Sequence, residues 1–379
     1  MDLRFLFAAG GTAGHIYPAI AIANQIKQWL PDAEILFVGA KGKMELELVP
    51  KEGYQIRSIP ISNFQRKLNP KGILHNFGSV KNLALSSVAV KKILQEFSPQ
   101  VVIGTGGYVC YPVLKEAAKR NIPTVLHESN AIPGLTTRRL APIVDRLLLG
   151  VKGTESVYPK AKDVRFTGIP VRDAFLAGDQ GKARKKLGIK SDKPLVLSFW
   201  GSLGALHMNN AMPQFFERLS KQQDFYHIHA TGGSEERADA LKSTLLESGI
   251  DAPEKVGIDI RPFIHDMPSV MAAADLVLCR AGASTLAELT ALGKPSILVP
   301  SPYVTSNHQV ENAKVFVKTG AAIMLEEKNC DGDVLFEQVR ALVQKPNTLS
   351  DMSAAMKSLS NPRATEEIAE MVLSMAQID

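Results

Sequence analysis

The stretch AAGGTAGHIYPAIAIANQI, residues 8–26, decides the fold of this chain. It ends an apolar run, LRFLFAA, which predicts a buried strand, and it continues as a helical pattern to about Trp29. Gly10, Gly11 and Gly14 lie between the two elements. Glycines at this place let backbone N–H groups and the positive end of the helix dipole meet an anion. The stretch therefore predicts a phosphate-binding strand–loop–helix unit with His15 at the helix start.

Strands and helices alternate along the chain in two tandem blocks. The first block continues through the predicted strands AEILFVG, GYQIRSIPI, PQVVIGTGGY and IPTVLHESN, with a long helical pattern over about residues 72–97. The second block holds KPLVLSFWGSLGALHMNNAMPQFF, FYHIHATGG and ADLVLCRAGASTLAELTALGKPSILVPSP. This alternation predicts an α/β protein with doubly wound parallel sheets. The join lies near FTGIPVRDAF, and NPRATEEIAEMVLSMAQ predicts a closing helix.

Composition places the chain among ordinary globular proteins. Its 379 residues suffice for two domains, and its three widely spaced cysteines give no disulfide framework. The N-terminus lacks a signal-peptide pattern, and no stretch is long and apolar enough to span a bilayer. We therefore expect a cytoplasmic protein that is not integral to a membrane.

Residues 53–95 contain no Asp or Glu but seven Lys and Arg residues. Nucleic acid, an anionic membrane surface or an anionic substrate would each fit such a charge distribution. Nucleic acid is the least favoured, because no recognition module accompanies the charge. Ile73, Leu74 and Phe77 share one helical face among the lysines, a pattern typical of docking at an anionic membrane surface, although an ordinary buried helix also fits.

Four glycine loops follow predicted strands, at residues 10–14, 104–107, 201–204 and 280–285. Ligands of open α/β sheets bind at such strand ends, so two sheets would offer a set of anion-binding loops. A dinucleotide site is disfavoured, because the first loop reads G-G-x-x-G and the second strand ends VGA without the acid that holds the ribose. Glu288, just inside the helix after the last loop, is instead a candidate ribose ligand.

Taken together, the motifs GGTAGHIYPAIAIA, GTGGYVCYP, HESNAIPG, TGIPVR, GSLGALHMN and CRAGASTLAELTALGKPSILVPSPYVTSNHQVENA resemble those of the MurG family of bacterial N-acetylglucosaminyltransferases. The resemblance covers almost the whole chain. It implies a GT-B fold, with two Rossmann-like domains facing across a cleft. The boundaries would be 1–171 for the acceptor domain, 172–360 for the donor domain, and 361–379 for a helix packing back on the first.

The resemblance also implies the activity: inverting, metal-independent transfer of GlcNAc from UDP-GlcNAc to the C4 hydroxyl of lipid I, without a cofactor. Lipid I is the undecaprenyl-diphosphate-linked MurNAc-pentapeptide, so the enzyme would work peripherally at the cytoplasmic face of the plasma membrane. This makes membrane docking the preferred interpretation of the acid-free stretch. Three alternatives remain: a GT-B transferase with another acceptor, a UDP-GlcNAc 2-epimerase, and a non-catalytic nucleotide-sugar-binding subunit.

The residues that the resemblance assigns to the donor fall in both domains. Ile264 would meet the uracil through its backbone, Glu288 the ribose, and Gln309 the GlcNAc hydroxyls, with His308 beside it. The remaining donor residues are Thr12, Ala13, Gly14, Asn130, Arg172, Ser202, Ala283, Ser284 and Thr285. The loop SPYVTSNHQ carries an extra residue relative to a familiar pattern of the family, with histidine where glutamine is often found.

Two residues are candidates for the catalytic base. His15 lies at a predicted helix N-terminus, where the dipole favours the neutral imidazole that can accept a proton. A role as loop cap or acceptor-phosphate ligand is the alternative for His15, and Glu128 is the second candidate base. Gly106, Gly107 and Tyr108 are predicted on the acceptor side.

Two further patterns are typical of metal sites. Asp331-Gly332-Asp333 has the D-x-D spacing of some metal-dependent glycosyltransferases, but its position before a helix favours Asp333 as an N-cap. His227 and His229 share one face of a predicted strand without a third ligand nearby, which favours a core or strand-edge role.

Overall fold

The computed structural model describes residues 3–62, 70–189, 193–201, 204–304 and 307–376. The chain divides into two compact units: the first comprises Met1–Arg172 and Asn361–Asp379, and the second comprises Asp173–Ser360. Each unit is an α/β sandwich around one parallel sheet. In the described part of the chain, no helix combines the length and the apolar character needed to cross a bilayer.

The first unit contains a seven-stranded parallel sheet in the order β3-β2-β1-β4-β5-β6-β7. Its strands are β1 (Arg4–Ala9), β2 (Glu34–Ala40), β3 (Gln55–Ile59), β4 (Val101–Gly106), β5 (Thr124–Glu128), β6 (Arg146–Leu149) and β7 (Val164–Phe166). Its helices are α1 (Ala13–Trp29), α2 (Glu45–Lys51), α3 (Pro70–Phe97), α4 (Cys110–Ala118) and α5 (Leu135–Leu140), together with the last helix of the chain, α15 (Ala364–Ala376).

The second unit contains a six-stranded parallel sheet in the order β10-β9-β8-β11-β12-β13. Its strands are β8 (Leu195–Phe199), β9 (Tyr226–Ala230), β10 (Ile258–Arg261), β11 (Leu276–Cys279), β12 (Ser296–Leu298) and β13 (Ala322–Met324). Its helices are α6 (Asp173–Leu176), α7 (Gln180–Lys186), α8 (Leu206–Gln222), α9 (Glu235–Glu247), α10 (Met267–Ala273), α11 (Ala283–Leu292), α12 (His308–Lys318), α13 (Gly332–Val343) and α14 (Pro346–Ser358).

The strand order of each sheet reverses at one point, between β1 and β4 in the first unit and between β8 and β11 in the second. Two strands that diverge in this way leave a crevice at their carboxyl ends, where ligands of open α/β sheets bind. Three of the four glycine loops follow β1, β8 and β11, and the remaining one, residues 104–107, covers the end of β4. The topology therefore places both pairs of loops at ligand-binding positions and confirms the α/β, parallel-sheet prediction.

The last helix completes the core of the first unit. Ile368, Ala369 and Val372 of α15 are fully buried in the same cluster as Ile22 and Ile26 of α1. Packing of this apolar face removes from water a surface that the helix could not cover alone. The C-terminal segment is thus an integral part of the first unit.

The histidine pair of β9 lies in the core of the second unit. The Ser198 hydroxyl contacts Nε2 of His227 and Nδ1 of His229, both at 2.7 Å, and both imidazoles are fully buried. Phe215 and Phe216 pack edge-on against these rings. Burial lowers the pKa of His227 well below its ordinary value and that of His229 to about 3. In the described residues, no group of three or more potential ligands surrounds a metal position.

This burial predicts an acid-sensitive second unit. In the unfolded chain His229 titrates near 6.5, and in the folded chain near 3, so the unfolded state binds more protons between these values. The free energy of unfolding therefore falls as pH drops through that window, by about 1.4 kcal/mol per pH unit for each histidine. For His229 the loss begins below pH 6.5 and is complete near pH 3.

Urea unfolding followed by Trp200 fluorescence measures this loss. Trp29 is the only other tryptophan, so a Trp29→Phe background restricts the signal to the second unit. We expect the urea concentration at the unfolding midpoint to be lower at about pH 5 than at about pH 7. Substitution of the exposed His265 by Gln should leave that fall unchanged. Equal midpoints at both pH values would contradict the burial argument.

The D-x-D segment caps a helix, but the prediction named the wrong aspartate. Asp331 is the N-cap of α13, where its carboxylate accepts the Val334 N–H at 2.8 Å. Asp333 lies inside the first turn and pairs with Arg218 at 2.9 Å and with Gln214. The helix starts two residues earlier than expected, and Gly332 at its start fits closely against α8, where a Cβ would collide with the α8 backbone.

Candidate active site

The two glycine loops of the first unit are locked together. The Gly10 N–H donates to the Gly106 carbonyl at 3.3 Å, and the Thr105 hydroxyl donates to the His15 carbonyl at 2.7 Å. A Cβ on Gly106 would collide with the His15 imidazole, so the glycine allows the ring to lie directly on the loop after β4. The His15 imidazole, the candidate base on the first glycine loop, therefore lies against the second glycine loop, which carries predicted acceptor-side residues.

His15 is the third residue of α1, and its side chain is partly exposed. Thr12 is the N-cap in an extended conformation without a side-chain capping bond, and Ala13 and Gly14 form the first turn. The N–H groups of a first helical turn have no intrahelical partners, and they carry the positive end of the dipole. The structure thus places His15 where the sequence analysis expected the neutral imidazole to be favoured.

Arg172 is held close to the same helix. Its guanidinium lies over the ring of Tyr17, with Cζ 4.9 Å from the ring centroid, and Tyr17 follows His15 by two residues. Such cation–π contacts orient an arginine. Arg172 is the last residue of the first unit before the chain enters the second.

Tyr108 lies over the first glycine loop. Its side chain is half-buried, and a Cβ on Gly11 would come within 3.9 Å of its ring. Burial and, to a lesser extent, the negative charge of Glu45 raise the pKa of the phenol. The hydroxyl therefore stays protonated at neutral pH and can donate a hydrogen bond. Gly107 lies close to the Gly10 carbonyl oxygen of the first glycine loop, where a Cβ would collide with it.

Glu128, the second candidate base, is committed to the loop after β5. Its buried carboxylate accepts the Asn130 N–H at 2.9 Å, the Asn130 side-chain amide at 3.0 Å, and the Gly134 N–H at 3.4 Å. The Thr137 hydroxyl donates at 2.5 Å to Oε2, the oxygen that also accepts the Gly134 N–H, whereas both Asn130 groups donate to Oε1. Four donors on one buried carboxylate stabilise its charge and fix the loop. This geometry favours His15 as the base and Glu128 as the residue that positions Asn130.

The second unit has a cavity of about 670 Å³ at the carboxyl ends of β8 and β11. Three predicted features line it: the glycine loop after β8, the start of α11 with Thr285, and Gln309. It is also lined by Arg280, the first residue of the last predicted glycine loop, and by Trp200, Leu206, His207, Tyr303 and Glu327, to which the sequence analysis gave no role. The predicted Ser202 lies outside the described residues.

Helix α11 directs its N-terminus to this cavity. Gly282 is the N-cap, and Ala283, Ser284 and Thr285 form the first turn, all partly exposed. Backbone N–H groups at the start of a helix, with hydroxyls beside them, are suited to binding an anion. Glu288 lies one turn further along, also partly exposed.

Gln309 and Ile264 occupy different environments. The Gln309 carbonyl oxygen accepts the Ser301 N–H at 2.8 Å, which orients the side chain in the second residue of α12, directly after His308. Ile264 is 4% exposed and its side chain belongs to the core beneath β8 and β11.

A buried ion pair forms the floor of the cavity. The Arg280 guanidinium donates to the Glu327 carboxylate at 2.6 Å and to the Val299 carbonyl at 3.0 Å. Nε2 of His207 lies 3.3 Å from the Glu327 carbonyl oxygen. Glu327 is 47 residues from Arg280, and nothing in its local sequence pattern marks it as a partner.

Comparison with known proteins identifies the family. Residues 5–149 match the glycosyltransferase family 28 N-terminal domain, and residues 195–368 match the C-terminal domain of the same family. The chain belongs to glycosyltransferase family 28. A family 28 relative from Acetivibrio thermocellus is 44% identical over 98% of this chain and 97% of its own. That protein is named UDP-N-acetylglucosamine–N-acetylmuramyl-(pentapeptide) pyrophosphoryl-undecaprenol N-acetylglucosamine transferase.

Solved structures share the fold of this family 28 chain. The crystal structure of Acinetobacter baumannii MurG superposes with a TM-score of 0.76 at 24% identity, over 98% of this chain and all of that one. The UDP-GlcNAc 2-epimerase of Neisseria meningitidis, bound to UDP-GlcNAc, gives a TM-score of 0.65 at 14% identity, over 99% and 100%. Transferases and epimerases thus share this architecture, which confirms the GT-B prediction of the fold.

Proposed function

We propose that this chain transfers GlcNAc from UDP-GlcNAc to the C4 hydroxyl of lipid I, which yields lipid II for peptidoglycan synthesis. The observation that carries this proposal is the full-length relationship to the N-acetylglucosamine transferase of Acetivibrio thermocellus. The cavity at the start of α11 supports it, because it offers N–H and hydroxyl donors suited to a nucleotide diphosphate.

The donor would be bound mainly by the second unit. The first turn of α11, with Ala283, Ser284 and Thr285, meets the diphosphate, and Ser202 would assist from the loop after β8. Glu288 accepts hydrogen bonds from the ribose hydroxyls, and the Ile264 backbone meets the uracil. The oriented Gln309, with His308 beside it, takes the GlcNAc hydroxyls. Thr12, Ala13, Gly14, Asn130 and Arg172 remain predicted donor contacts of the first unit.

The reaction is a single displacement at the anomeric carbon. His15 accepts the proton of the C4 hydroxyl as the O4–C1 bond forms and the bond from C1 to the phosphate oxygen breaks. The departing UDP carries the negative charge, which the α11 N–H groups and the Thr285 hydroxyl stabilise. These donors would replace a metal ion, so the transfer is expected to proceed in the presence of a chelator. Tyr108, Gly106 and Gly107 would face the acceptor.

The polyprenyl acceptor requires the enzyme to work at a membrane surface, and α3 offers a suitable face. Leu85 and Val88 are 47% and 65% exposed, three residues apart on one side of the helix, with the exposed Lys91 and Lys92 nearby. Apolar side chains beside cations bind anionic bilayers. The side chains of Ile73, Leu74 and Phe77 lie outside the described part of α3. This docking would be peripheral and at the cytoplasmic face.

Vesicle binding tests this face. The double substitution Leu85→Ser and Val88→Ser should weaken binding to phosphatidylglycerol vesicles at least about tenfold, because two apolar side chains no longer leave water. Binding of the unchanged chain should also fall with salt. The exposed Gln95→Ser on the same helix is the matched control and should bind normally. Equal binding by all three proteins would contradict the assignment of this face.

Incubation of the purified protein with UDP-GlcNAc, a lipid I analogue and EDTA tests the proposed function. We expect an acceptor whose mass increases by one GlcNAc residue. Formation of UDP-ManNAc without an acceptor would instead reveal a 2-epimerase, and binding of UDP-GlcNAc without turnover would reveal a non-catalytic subunit. Either result would overturn the proposal. Transfer that EDTA abolishes would overturn metal independence alone.

A further inference from the structure

The carboxylate of Glu45 lies beneath the first glycine loop. Glu45 is the first residue of α2, and it is fully buried. Its Oε2 accepts the Gly11 N–H at 3.1 Å, and its Oε1 accepts the Ala40 N–H, at the end of β2, at 2.9 Å. A Cβ on Gly10 would collide with the same carboxylate, so the glycine leaves it room. One side chain therefore joins the glycine loop to the end of the second strand.

The space between the first glycine loop and the end of the second strand is where a Rossmann fold binds a dinucleotide. There the diphosphate meets the N–H groups of the first glycine loop, and an acid at the end of the second strand holds the ribose. In this chain the Gly11 N–H already donates to the Glu45 carboxylate, and the Ala40 N–H at the end of β2 donates to the same carboxylate. A diphosphate entering the loop would meet a buried negative charge and an occupied donor. The fold thus supplies its own anion at this place.

We propose that Glu45 is an internal substitute for the diphosphate of a dinucleotide: it fixes the first glycine loop and keeps a diphosphate out of the space between the Gly11 N–H and the end of β2. His15 follows Gly11 by four residues, so the anchored loop sets the position of the imidazole for the transfer reaction. This part of the inference rests on the proposed function. Glu45 touches no reacting atom and acts through the loop, as a positioning residue.

Steady-state kinetics test the positioning role. Glu45→Gln keeps the side-chain shape but turns an amide N–H toward one of the two backbone N–H groups, which breaks that contact. We expect kcat to fall at least about tenfold while the KM for UDP-GlcNAc changes less than about twofold, because the loop carries the base. Glu47→Gln, exposed on the same helix, should match the unchanged chain. A Glu45→Gln protein that folds normally and keeps its kcat would overturn this role.

Calorimetric titration with inorganic pyrophosphate tests the exclusion. Saturating UDP first fills the second unit, so that only a new site can bind the probe. The unchanged chain should give no binding, and Glu45→Ala should gain one site, because the Gly11 N–H is then unoccupied and the negative charge is gone. A folded Glu45→Ala protein without such a site would overturn the exclusion. This titration needs no transfer, so it can still be interpreted if the chain makes no lipid II, the result that overturns the proposed function.

Discussion

Replacement of His15 by Ala is expected to lower kcat about 1000-fold and to leave the KM for UDP-GlcNAc within about twofold. The magnitude is that of losing a well-placed general base. The donor affinity should remain because the principal donor contacts that we propose lie at the start of α11 in the second unit, far along the chain from His15. Initial rates with a lipid I analogue over a range of UDP-GlcNAc concentrations measure both quantities.

A second substitution separates the base from a phosphate ligand. His15→Gln keeps a side chain that donates and accepts hydrogen bonds but cannot take a proton at neutral pH. If His15 is the base, the His15→Gln protein should be as inactive as the His15→Ala protein. If His15 only binds an acceptor phosphate, Gln should recover much of the activity, and the Ala variant should show a raised acceptor KM with kcat largely retained. That pattern would contradict the assignment of His15.

Breaking the ion pair under the donor cavity is expected to have the largest effect on stability. Glu327→Gln leaves the guanidinium of Arg280, a side chain that is 10% exposed, without its negative partner. Removal of one partner from a buried pair costs about 3–5 kcal/mol, because the other charge stays out of water without compensation. We expect a loss of this size in the unfolding of the second unit, and weaker UDP binding, because Arg280 shapes the cavity floor.

Urea unfolding, followed by Trp200 fluorescence in the Trp29→Phe background, measures the loss in the free energy of unfolding. Titration with UDP measures the affinity of the cavity for the nucleotide. The neighbouring Glu326 is a matched control: it is exposed and pairs with Lys328 at 2.8 Å. Exposed pairs contribute little, so Glu326→Gln should cost less than about 1 kcal/mol. Equal losses from both substitutions would contradict the role assigned to the buried pair.

Much of the fold could be predicted from local patterns. Helix α1 ends at Trp29 as expected, because the apolar period that predicts it also packs it on the sheet. The strand order could not be predicted, since it depends on contacts between distant segments. The strands β6, β7, β10 and β13, each of three or four residues, were not among the predicted strands.

The candidate site, like the fold, has parts that local sequence patterns predict and parts that they do not. Glycine loops and helix starts have local signatures, and the structure brings the loops with His15 and Gly106 into contact. Glu45 and Glu327 were missed, because each looks like a surface acid in its own segment. Only the fold shows that both are buried: one beneath a glycine loop, and the other under the donor cavity beside Arg280.

The configuration of the new glycosidic bond tests the central claim most directly. The purified chain, UDP-GlcNAc and a lipid I analogue would be incubated with EDTA, and the product would be examined by proton NMR. UDP-GlcNAc is an α-glycoside, so a single displacement with His15 as base predicts a β-linked GlcNAc on the C4 oxygen of MurNAc. An α-linked product, or linkage to another hydroxyl, would contradict the account.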